Sequence, residues 1–372
     1  MPRIAILFEF DSLNGGEHSL LTSLDQLSVE PFEFVAMAPI GGRLEEALRH
    51  RGIQHVPISL RDDFGTRLPR VQVCEAIKDA IEGVSPDIVH ANSLSMGRLT
   101  GAIAGQIKSP CVAHLRDIIK LSRAAVEDLN QNRVLLAVSH ATRTFHVEQG
   151  MRSERVRVLY NGVDCDRFRP RTRTGSLHRE LGLPNDSFLI ATIGQIGLRK
   201  GQDVLAEAAV LAANRLSNVH YLVVGERLSS KAESIEFERA LLDRFNAAGL
   251  DDRLHLLGYR SDVDRLMNEV DLLVHPAHQE PLGRVLLEAA ASGLPIVATT
   301  VGGTEEILCD GESARLVVAA DPKSLANAII ELEADVSKRR RFAAAARKQV
   351  ETAFEAKQSA RNLAAVWNRV VS

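Results

Sequence analysis

Short apolar runs alternate with longer helical patterns from the first residues of the chain to about residue 318. This alternation is typical of parallel β-sheets whose strands are connected by helices, rather than of separate all-α and all-β parts. The chain has 372 residues, of which 45% are hydrophobic, so it can build more than one core. The sequence therefore predicts an α/β protein of two or three domains.

The apolar runs that can form strands fall into two groups, each large enough for a sheet of its own. The first group is Ile4–Phe8, Phe32–Ala38, Gln54–Ile58, Asp87–His90, Cys111–Leu115, Val134–Val138 and Val156–Leu159. The second group is Phe188–Ile193, Val219–Val224, Leu254–Leu257, Asp271–Val274, Pro295–Ala298 and Arg315–Val318.

The segment between the two groups, Phe168–Gly175, contains proline and glycine and has no strand pattern, so we expect an interdomain crossing there. Two helices are expected after the last strand, and the final one is expected to pack back towards the first domain. The predicted organisation is a first domain at 1–168, a linker at 169–184, a second domain at 185–353 and a C-terminal helix at 354–372.

Composition excludes several classes of protein. Lys and Arg total 45 against 48 for Asp and Glu, a net charge of −3 that argues against nucleic acid as the main partner. The four cysteines are widely spread without a C-x-x-C pair, and no H-E-x-x-H run is present, so we expect no bound metal. The first apolar run ends at Glu9, too short for a signal-peptide core. We therefore expect a cytoplasmic protein.

The most informative stretch is residues 274–290, where a strand ends, a polar loop follows, and a helix is predicted from about Leu282. Ligands of open α/β sheets bind beyond the carboxyl ends of the strands. A helix start offers unpaired N–H groups to a phosphate, Pro281 suits a first helical turn, and Gly283 permits close approach. Glu280 in the loop and Glu288 in the helix would accept hydroxyls of a sugar. The alternative is a capping carboxylate and a solvated helix residue.

A second candidate region is Thr192–Gly201, where a strand leads into a glycine-containing turn with Arg199 and Lys200. These cations and the turn would suit a diphosphate. The region lacks both G-x-G-x-x-G and G-x-x-x-x-G-K-[ST], so a dinucleotide fingerprint or an ATP-type phosphate loop is not supported. Taken alone, the segment is better explained as an ordinary strand-to-helix turn with Arg199 and Lys200 exposed.

The spacing Glu280-x7-Glu288, followed by the segments 289–299 and 301–306, resembles the family 4 retaining glycosyltransferases of the GT-B fold. The resemblance implies two Rossmann-like α/β domains facing each other across a deep cleft, with the acceptor bound by the first domain and the donor by the second. It implies a metal-independent hexosyltransferase with no cofactor. The donor would be a UDP- or GDP-linked sugar, transferred with retention to a hydroxyl of a sugar, a lipid-linked sugar or a small metabolite.

The resemblance also assigns roles to residues. Glu280 would orient the donor sugar, His114 would lie beside it, and Lys200 would hold the diphosphate, which makes these three the catalytic set. Glu288 would hold the ribose hydroxyls, and Tyr259 follows the strand where the family receives the base. The full donor-binding set is Gly15, Gly16, Gln195, Arg199, Lys200, Tyr259, Leu282, Gly283, Arg284 and Glu288. Gln195 stands where the family commonly has arginine, and a neutral amide offsets no charge.

Two other functions remain open at the level of sequence. A sugar-nucleotide 2-epimerase on the same architecture would convert the donor without an acceptor, and a nucleotide-sugar-binding protein would not turn it over. The sequence does not identify the acceptor, the linkage formed, the donor sugar and base, or the oligomeric state. The basic stretches Arg152–Arg179 and Lys338–Arg341 are compatible with peripheral contact at the inner face of a membrane, although the near-neutral charge of the whole chain favours a solvated helix face and linker.

Overall fold

The computed structural model describes residues 1–371, which divide into two compact units. The first unit consists of Met1–Gly162 together with the chain from Ala356, and the second consists of Val163–Glu355. Each unit contains one parallel sheet with helices on both of its faces. The predicted α/β class is confirmed.

The thirteen strands are short and mainly apolar, as expected for strands that are covered on both faces. They are β1 (Arg3–Leu7), β2 (Glu33–Ala38), β3 (Gln54–Pro57), β4 (Ile88–Ala91), β5 (Cys111–Leu115), β6 (Val134–Ala137), β7 (Val156–Val158), β8 (Phe188–Ile193), β9 (Val219–Val224), β10 (Leu254–Gly258), β11 (Leu272–His275), β12 (Ile296–Thr299) and β13 (Arg315–Val317). Every predicted strand is present, with ends that differ by one residue at most.

Fifteen α-helices are described, of which α1–α6 and α15 belong to the first unit and α7–α14 to the second. They are α1 (Gly15–Gln26), α2 (Gly42–His50), α3 (Arg70–Val84), α4 (Leu94–Ile103), α5 (Arg123–Leu129), α6 (His140–Glu148), α7 (Ser176–Leu181), α8 (Gln202–Ala212), α9 (Ala232–Ala247), α10 (Val263–Leu266), α11 (Arg284–Ala291), α12 (Thr304–Ile307), α13 (Pro322–Ala334), α14 (Val336–Ala353) and α15 (Ala356–Val371). None of the described helices is both long and apolar enough to cross a bilayer.

Both sheets reverse their strand order at one point. The order is β3-β2-β1-β4-β5-β6-β7 in the first unit and β10-β9-β8-β11-β12-β13 in the second, with all of these pairings parallel. The reversal lies between β1 and β4 in the first sheet and between β8 and β11 in the second. At such a point two successive loops leave in opposite directions and open a crevice at the carboxyl edge of the sheet.

The segment 169–184, predicted as the interdomain linker, is packed within the second unit. The backbone N–H of Arg171 donates to the side-chain oxygen of Asn268, and those of Thr174 and Gly175 donate to the Glu269 carboxylate. Residues 176–181 form α7. The 169–184 segment is therefore part of the second unit, and the chain passes from one unit to the other after Gly162, six residues before the predicted boundary.

Three helices follow the last strand, not the two that the sequence pattern predicted. The additional helix, α13, has Asp321 at its N-cap, where the carboxylate accepts the N–H groups of Lys323 and Ser324. Pro322 occupies its first position, where no intrahelical N–H is needed. These residues form a standard helix-start signal, which the sequence analysis did not use.

Helix α15 packs against the first unit through Trp367, the only tryptophan of the chain. Its ring is fully buried, with centroids 5.5 Å from Phe32 and 5.8 Å from Phe34. The beginning of α15 lies against Gly162, where a Cβ would come within 2.6 Å of the Ala356 Cα. The point where the chain leaves the first unit is therefore packed directly against the point where it returns.

We expect Gly162→Ala to lower the free energy of unfolding, because the added methyl group meets the backbone of α15. Gly83→Ala is the matched control, since a Cβ there meets nothing within 4 Å and alanine is the better helix former by about 0.5–1 kcal/mol. Urea titration followed by Trp367 fluorescence measures both variants. Equal midpoints for the two would contradict the tight packing at Gly162.

Candidate active site

In the second unit, the turn after β8 and the turn after β11 are packed against each other at the point where the strand order reverses. Gly201 ends a 3₁₀ turn formed by Leu198–Lys200 and has a φ of +69°. A Cβ at Gly201 would lie 1.9 Å from the carbonyl oxygen of Pro276, so only glycine fits there. This contact brings the residue before Gly201 next to the loop that carries Glu280.

Lys200 and Glu280 form a buried ion pair. The Lys200 Nζ lies 2.6 Å from Glu280 Oε2, with 14% and 8% of the respective side chains exposed. His275, the last residue of β11, places its Nε2 2.9 Å from the same oxygen. The Lys200 ammonium has three hydrogens, and Glu280 accepts one of them, so the others remain able to bind an anion. The structure thus brings together two of the three predicted catalytic residues.

The charge state of Glu280 follows from its surroundings. Burial opposes ionisation, but the charge of Lys200 and the hydrogen bond from His275 outweigh it, so the pKa of Glu280 lies well below its usual 4.5. Burial also lowers the pKa of His275 from 6.5, although the bond to Glu280 opposes this. At neutral pH, Glu280 is therefore a carboxylate held by a cation and a neutral imidazole.

The helix after this loop begins later than predicted. Gly283 has a φ of +104° and precedes α11, which starts at Arg284 rather than near Leu282. Pro281 therefore lies before the helix, not in its first turn. Leu282 is 1% exposed, so its side chain is packed inside the second unit.

Glu288 is paired within α11 with Arg284, one turn earlier. Its side chain is 5% exposed, and burial raises its pKa from 4.5 although the Arg284 charge opposes this. A solvated helix residue is therefore excluded for Glu288.

The remaining predicted residues of the second unit lie after strands. Gln195 is exposed directly after β8, and Arg199 is exposed in the 3₁₀ turn, near enough to help lower the pKa of Glu280. Tyr259 follows β10 and is 39% exposed. The sheet order places β10 two strands from β8, so Tyr259 stands at the outer edge of the carboxyl side.

In the first unit, Gly15 and Gly16 form the first turn of α1 after β1. A Cβ at Gly16 would lie 2.9 Å from the Arg116 Cδ, so the glycine leaves room for this arginine. The Glu17 carboxylate accepts the N–H of Asn14, and Arg116 acts on it electrostatically. The glycine turn is therefore built around Arg116, which the sequence analysis did not single out.

Arg116 is held by hydrogen bonds to the loops after β4 and β7 and by a histidine of β5. Its Nε and Nη2 donate to Asn92 after β4, and its Nη1 donates to the Asn161 side-chain oxygen at 2.8 Å. Its Nη2 also lies 3.2 Å from the His114 Nδ1. Burial lowers the pKa of Arg116 to about 10, so the guanidinium is still charged at neutral pH.

A chain of hydrogen bonds decides the protonation of His114, which lies in β5. Trp367 Nε1 donates to His90 Nδ1 at 3.0 Å, and His90 Nε2 lies 2.9 Å from His114 Nδ1. Because the indole can only donate, His90 carries its proton on Nε2 and passes a hydrogen bond to His114 Nδ1. His114 must then be protonated on Nε2. It is a hydrogen-bond donor, not a base.

Burial keeps both histidines neutral. It lowers the pKa of His90 to about 3, with Arg116 adding to the effect, and it lowers the pKa of His114 well below 6.5 for the same reasons.

Four further residues of these two sites were not predicted from the sequence: His90, Asn92, His275 and Trp367. The first three lie in or directly after strand ends, a signal that could have found them, whereas Trp367 is distant in sequence.

We expect ring ¹⁵N spectra of the wild type to show His114 as the neutral Nε2–H tautomer. Trp367→Phe should give mixed tautomers at His90 but not at His114, whose Nδ1 still faces the Arg116 Nη2 donor. Phe34→Leu disturbs the same aromatic cluster without removing the indole donor and is the control. An Nδ1–H form of His114 in the wild type would contradict the assignment.

The low pKa values of His90 and His114 also make stability depend on pH. The unfolded chain binds protons at these histidines before the folded chain does, so the free energy of unfolding should fall as pH decreases below 6.5.

Within residues 1–371, no group of three His, Cys, Asp or Glu side chains is arranged to hold a metal ion. The four cysteines are not paired in disulfides. The groups at the two carboxyl edges are instead cations, carboxylates and neutral imidazoles.

Two family models match the chain, one on each side of the crossing between the units. The model described as Glycosyltransferase Family 4 matches residues 13–167, and the model described as Glycosyl transferases group 1 matches residues 174–349. The chain belongs to glycosyltransferase family 4. The resemblance stated from the Glu280-x7-Glu288 region is confirmed.

Curated relatives match this chain over part of their length. The chain is 28% identical over 225 residues to a D-inositol 3-phosphate glycosyltransferase of Corynebacterium urealyticum, and the match covers 58% of this chain and 52% of that protein. It is 29% identical over 219 residues to the lipopolysaccharide core biosynthesis mannosyltransferase LpsB of Rhizobium meliloti, covering 58% and 61%. The chain thus spans between about half and three fifths of these relatives.

Solved structures match over the whole chain. Anabaena Alr3699/HepE in complex with UDP and glucose has a TM-score of 0.88 at 24% identity, covering 99% of this chain and 100% of that one. WaaG, a glycosyltransferase involved in lipopolysaccharide biosynthesis, has a TM-score of 0.75 at 17% identity, covering 98% and 99%. These structural similarities establish that this chain has the GT-B fold.

Proposed function

We propose that this family 4 member transfers a hexose from a nucleoside diphosphate sugar to an acceptor hydroxyl, with retention at the anomeric carbon and without a metal ion. The observation that carries the proposal is the buried Lys200–Glu280 pair at the strand-order reversal of the second sheet. A cation for a diphosphate and an ionised acceptor for sugar hydroxyls lie there within 2.6 Å of each other. The relatives and the Anabaena complex support a sugar donor of this class.

In the proposed reaction the bond from the anomeric carbon to the phosphate oxygen breaks, and a bond to the acceptor oxygen forms on the same face. The proton of the acceptor hydroxyl passes to the leaving phosphate. Lys200 and Arg199 would stabilise the charge on the diphosphate, a contribution worth about 10²–10³ in rate for a fixed donor. Glu280 would position the sugar, and the Nε2–H of His114 would hydrogen-bond one of its oxygens.

The nucleoside would be held by Glu288 and by backbone groups near Leu282, Gly283 and Tyr259. A carboxylate paired with Arg284 can still accept two ribose hydroxyls through its remaining lone pairs. Burial strengthens these bonds because little water competes. UDP-glucose is the first donor to test, and GDP-linked sugars are the second, because nothing in the side chains around Tyr259 distinguishes the bases.

The activity can be tested before the acceptor is identified, through slow hydrolysis of an α-linked donor. We expect the protein to release the α-sugar first, observed by proton NMR, in the presence of excess chelator. Release of the β-sugar would contradict retention, and loss of activity restored by Mg²⁺ would contradict metal independence. Appearance of an isomeric donor would instead identify an epimerase, and tight binding without turnover over a broad acceptor panel a binding protein.

Lys200→Met should reduce turnover by about 10²–10³ because it removes the charge next to the leaving diphosphate while keeping the length of the side chain. Lys231→Met, at an exposed position before α9, is the matched control and should keep wild-type turnover. Donor turnover measured by NMR compares the two. Wild-type turnover in Lys200→Met would remove this residue from the mechanism.

Glu288→Gln should weaken binding of UDP and UDP-glucose alike, since Glu288 is proposed to contact the ribose that both ligands share. A lost hydrogen bond to a charged group predicts about a tenfold or larger effect in calorimetry. Glu236→Gln, on the exposed side of α9, is the control. An effect on the sugar donor alone would place Glu288 at the sugar instead of the ribose.

A further inference from the structure

The first unit contains a cavity of about 240 Å³ whose charged lining consists of arginines only. It lies where β6 and β7 begin and where α15 ends. The lining residues are Arg133, Val134, Arg155, Arg157, Arg369 and Val370. All four guanidiniums carry a full charge at physiological pH, so the cavity holds four positive charges.

The cavity is separate from the candidate active site. Arg133 and Arg155 directly precede β6 and β7, whereas Gly16, Asn92 and Arg116 follow β1, β4 and β5. Because all these strands are parallel, the two sets lie at opposite edges of the first sheet. At 3.3 Å per residue, a five-residue strand separates the edges by about 15 Å.

Three of the arginines, Arg133, Arg157 and Arg369, are exposed to solvent, and Arg155 is half-buried. Arg157 pairs in register with Leu136, which packs in the same core cluster as Trp367. Alternation along the strand then places Arg155 on the face of Arg157 and Leu159, and Leu159 is in that core cluster. This face of the sheet thus changes from buried leucine to solvent-accessible arginine towards the cavity.

The four arginines are not neutralised by the protein. Among residues 1–371, no acidic side chain forms an ion pair with any of them, whereas Arg3, Arg51 and Arg70 of the same unit pair with Glu33, Asp25 and Asp128. Arg155 donates to the carbonyl oxygens of Asn130 and Asn132, which orients its guanidinium. Four like charges at one cavity repel one another, and a bound anion would remove that repulsion.

We propose that this cavity is a second anion site, which binds a phosphate group through the guanidiniums of Arg133, Arg155, Arg157 and Arg369. Arginine presents a planar fork of N–H donors that matches two oxygens of a phosphate. Several such forks around one cavity favour a dianion or a diphosphate over a carboxylate. The phosphate belongs either to a soluble phosphoester or to the headgroup of an anionic lipid, and the site does not depend on the proposed transfer reaction.

Pyrophosphate is the probe for calorimetry, with wild type, the double variant Arg133→Gln/Arg157→Gln, and Arg49→Gln as a control at an exposed position of α2. We expect binding that weakens with added salt, a loss of about ten- to a hundredfold in the double variant, and no change in the control. Lys200→Met should keep this binding, which separates the cavity from the donor site. Equal binding by wild type and double variant, or no binding by either, overturns the proposal.

Vesicle flotation identifies the source of the phosphate. Vesicles of phosphatidylcholine with phosphatidylglycerol are compared with phosphatidylcholine alone, and pyrophosphate is added as a competitor. Flotation that the double variant loses and pyrophosphate inhibits supports a lipid headgroup. Pyrophosphate binding without flotation supports a soluble phosphoester.

Thermal melting in the absence of anions is a further test. The double variant should melt at or above the wild-type temperature because charge repulsion is relieved, and a large decrease would instead show that these arginines stabilise the fold.

Discussion

Parallel pairing of every strand is the constraint on which the rest of this molecule depends. It places all carboxyl ends of a sheet at one edge, and it requires a helical crossover between successive strands. Both faces of each sheet are therefore covered, which explains why the strands are mainly apolar. His90, His114 and His275 lie towards that one edge, in or at the carboxyl ends of their strands.

Each unit uses this edge in the same way, with a glycine that permits close approach and a buried charge next to it. In the second unit, Gly201 packs on Pro276 and brings Lys200 to Glu280. In the first unit, Gly16 leaves space for Arg116, which holds Asn92, Asn161 and His114. A buried charge is costly unless it is paired or hydrogen-bonded, and both charges meet that condition.

The final helix contributes chemistry as well as stability. Trp367 fills the space between α15 and the first sheet, and its indole N–H begins the hydrogen-bond chain that ends at His114. An apolar residue of the same size would fill the space but leave the tautomer of His90 undetermined. The same helix carries Arg369 at the arginine-lined cavity, two residues after Trp367.

The sequence by itself determined the class of fold, all thirteen strands and the family, because these depend on local periodicity and on motifs of residues close together in the chain. It did not determine where the units divide, since that depends on the bonds from Glu269 and Asn268 to residues about 95 positions away. Only the tertiary structure decided the partners of Lys200, the role of Arg116 and the protonation of His114. Each of these results from side chains that are distant in sequence and meet only when the sheets have formed.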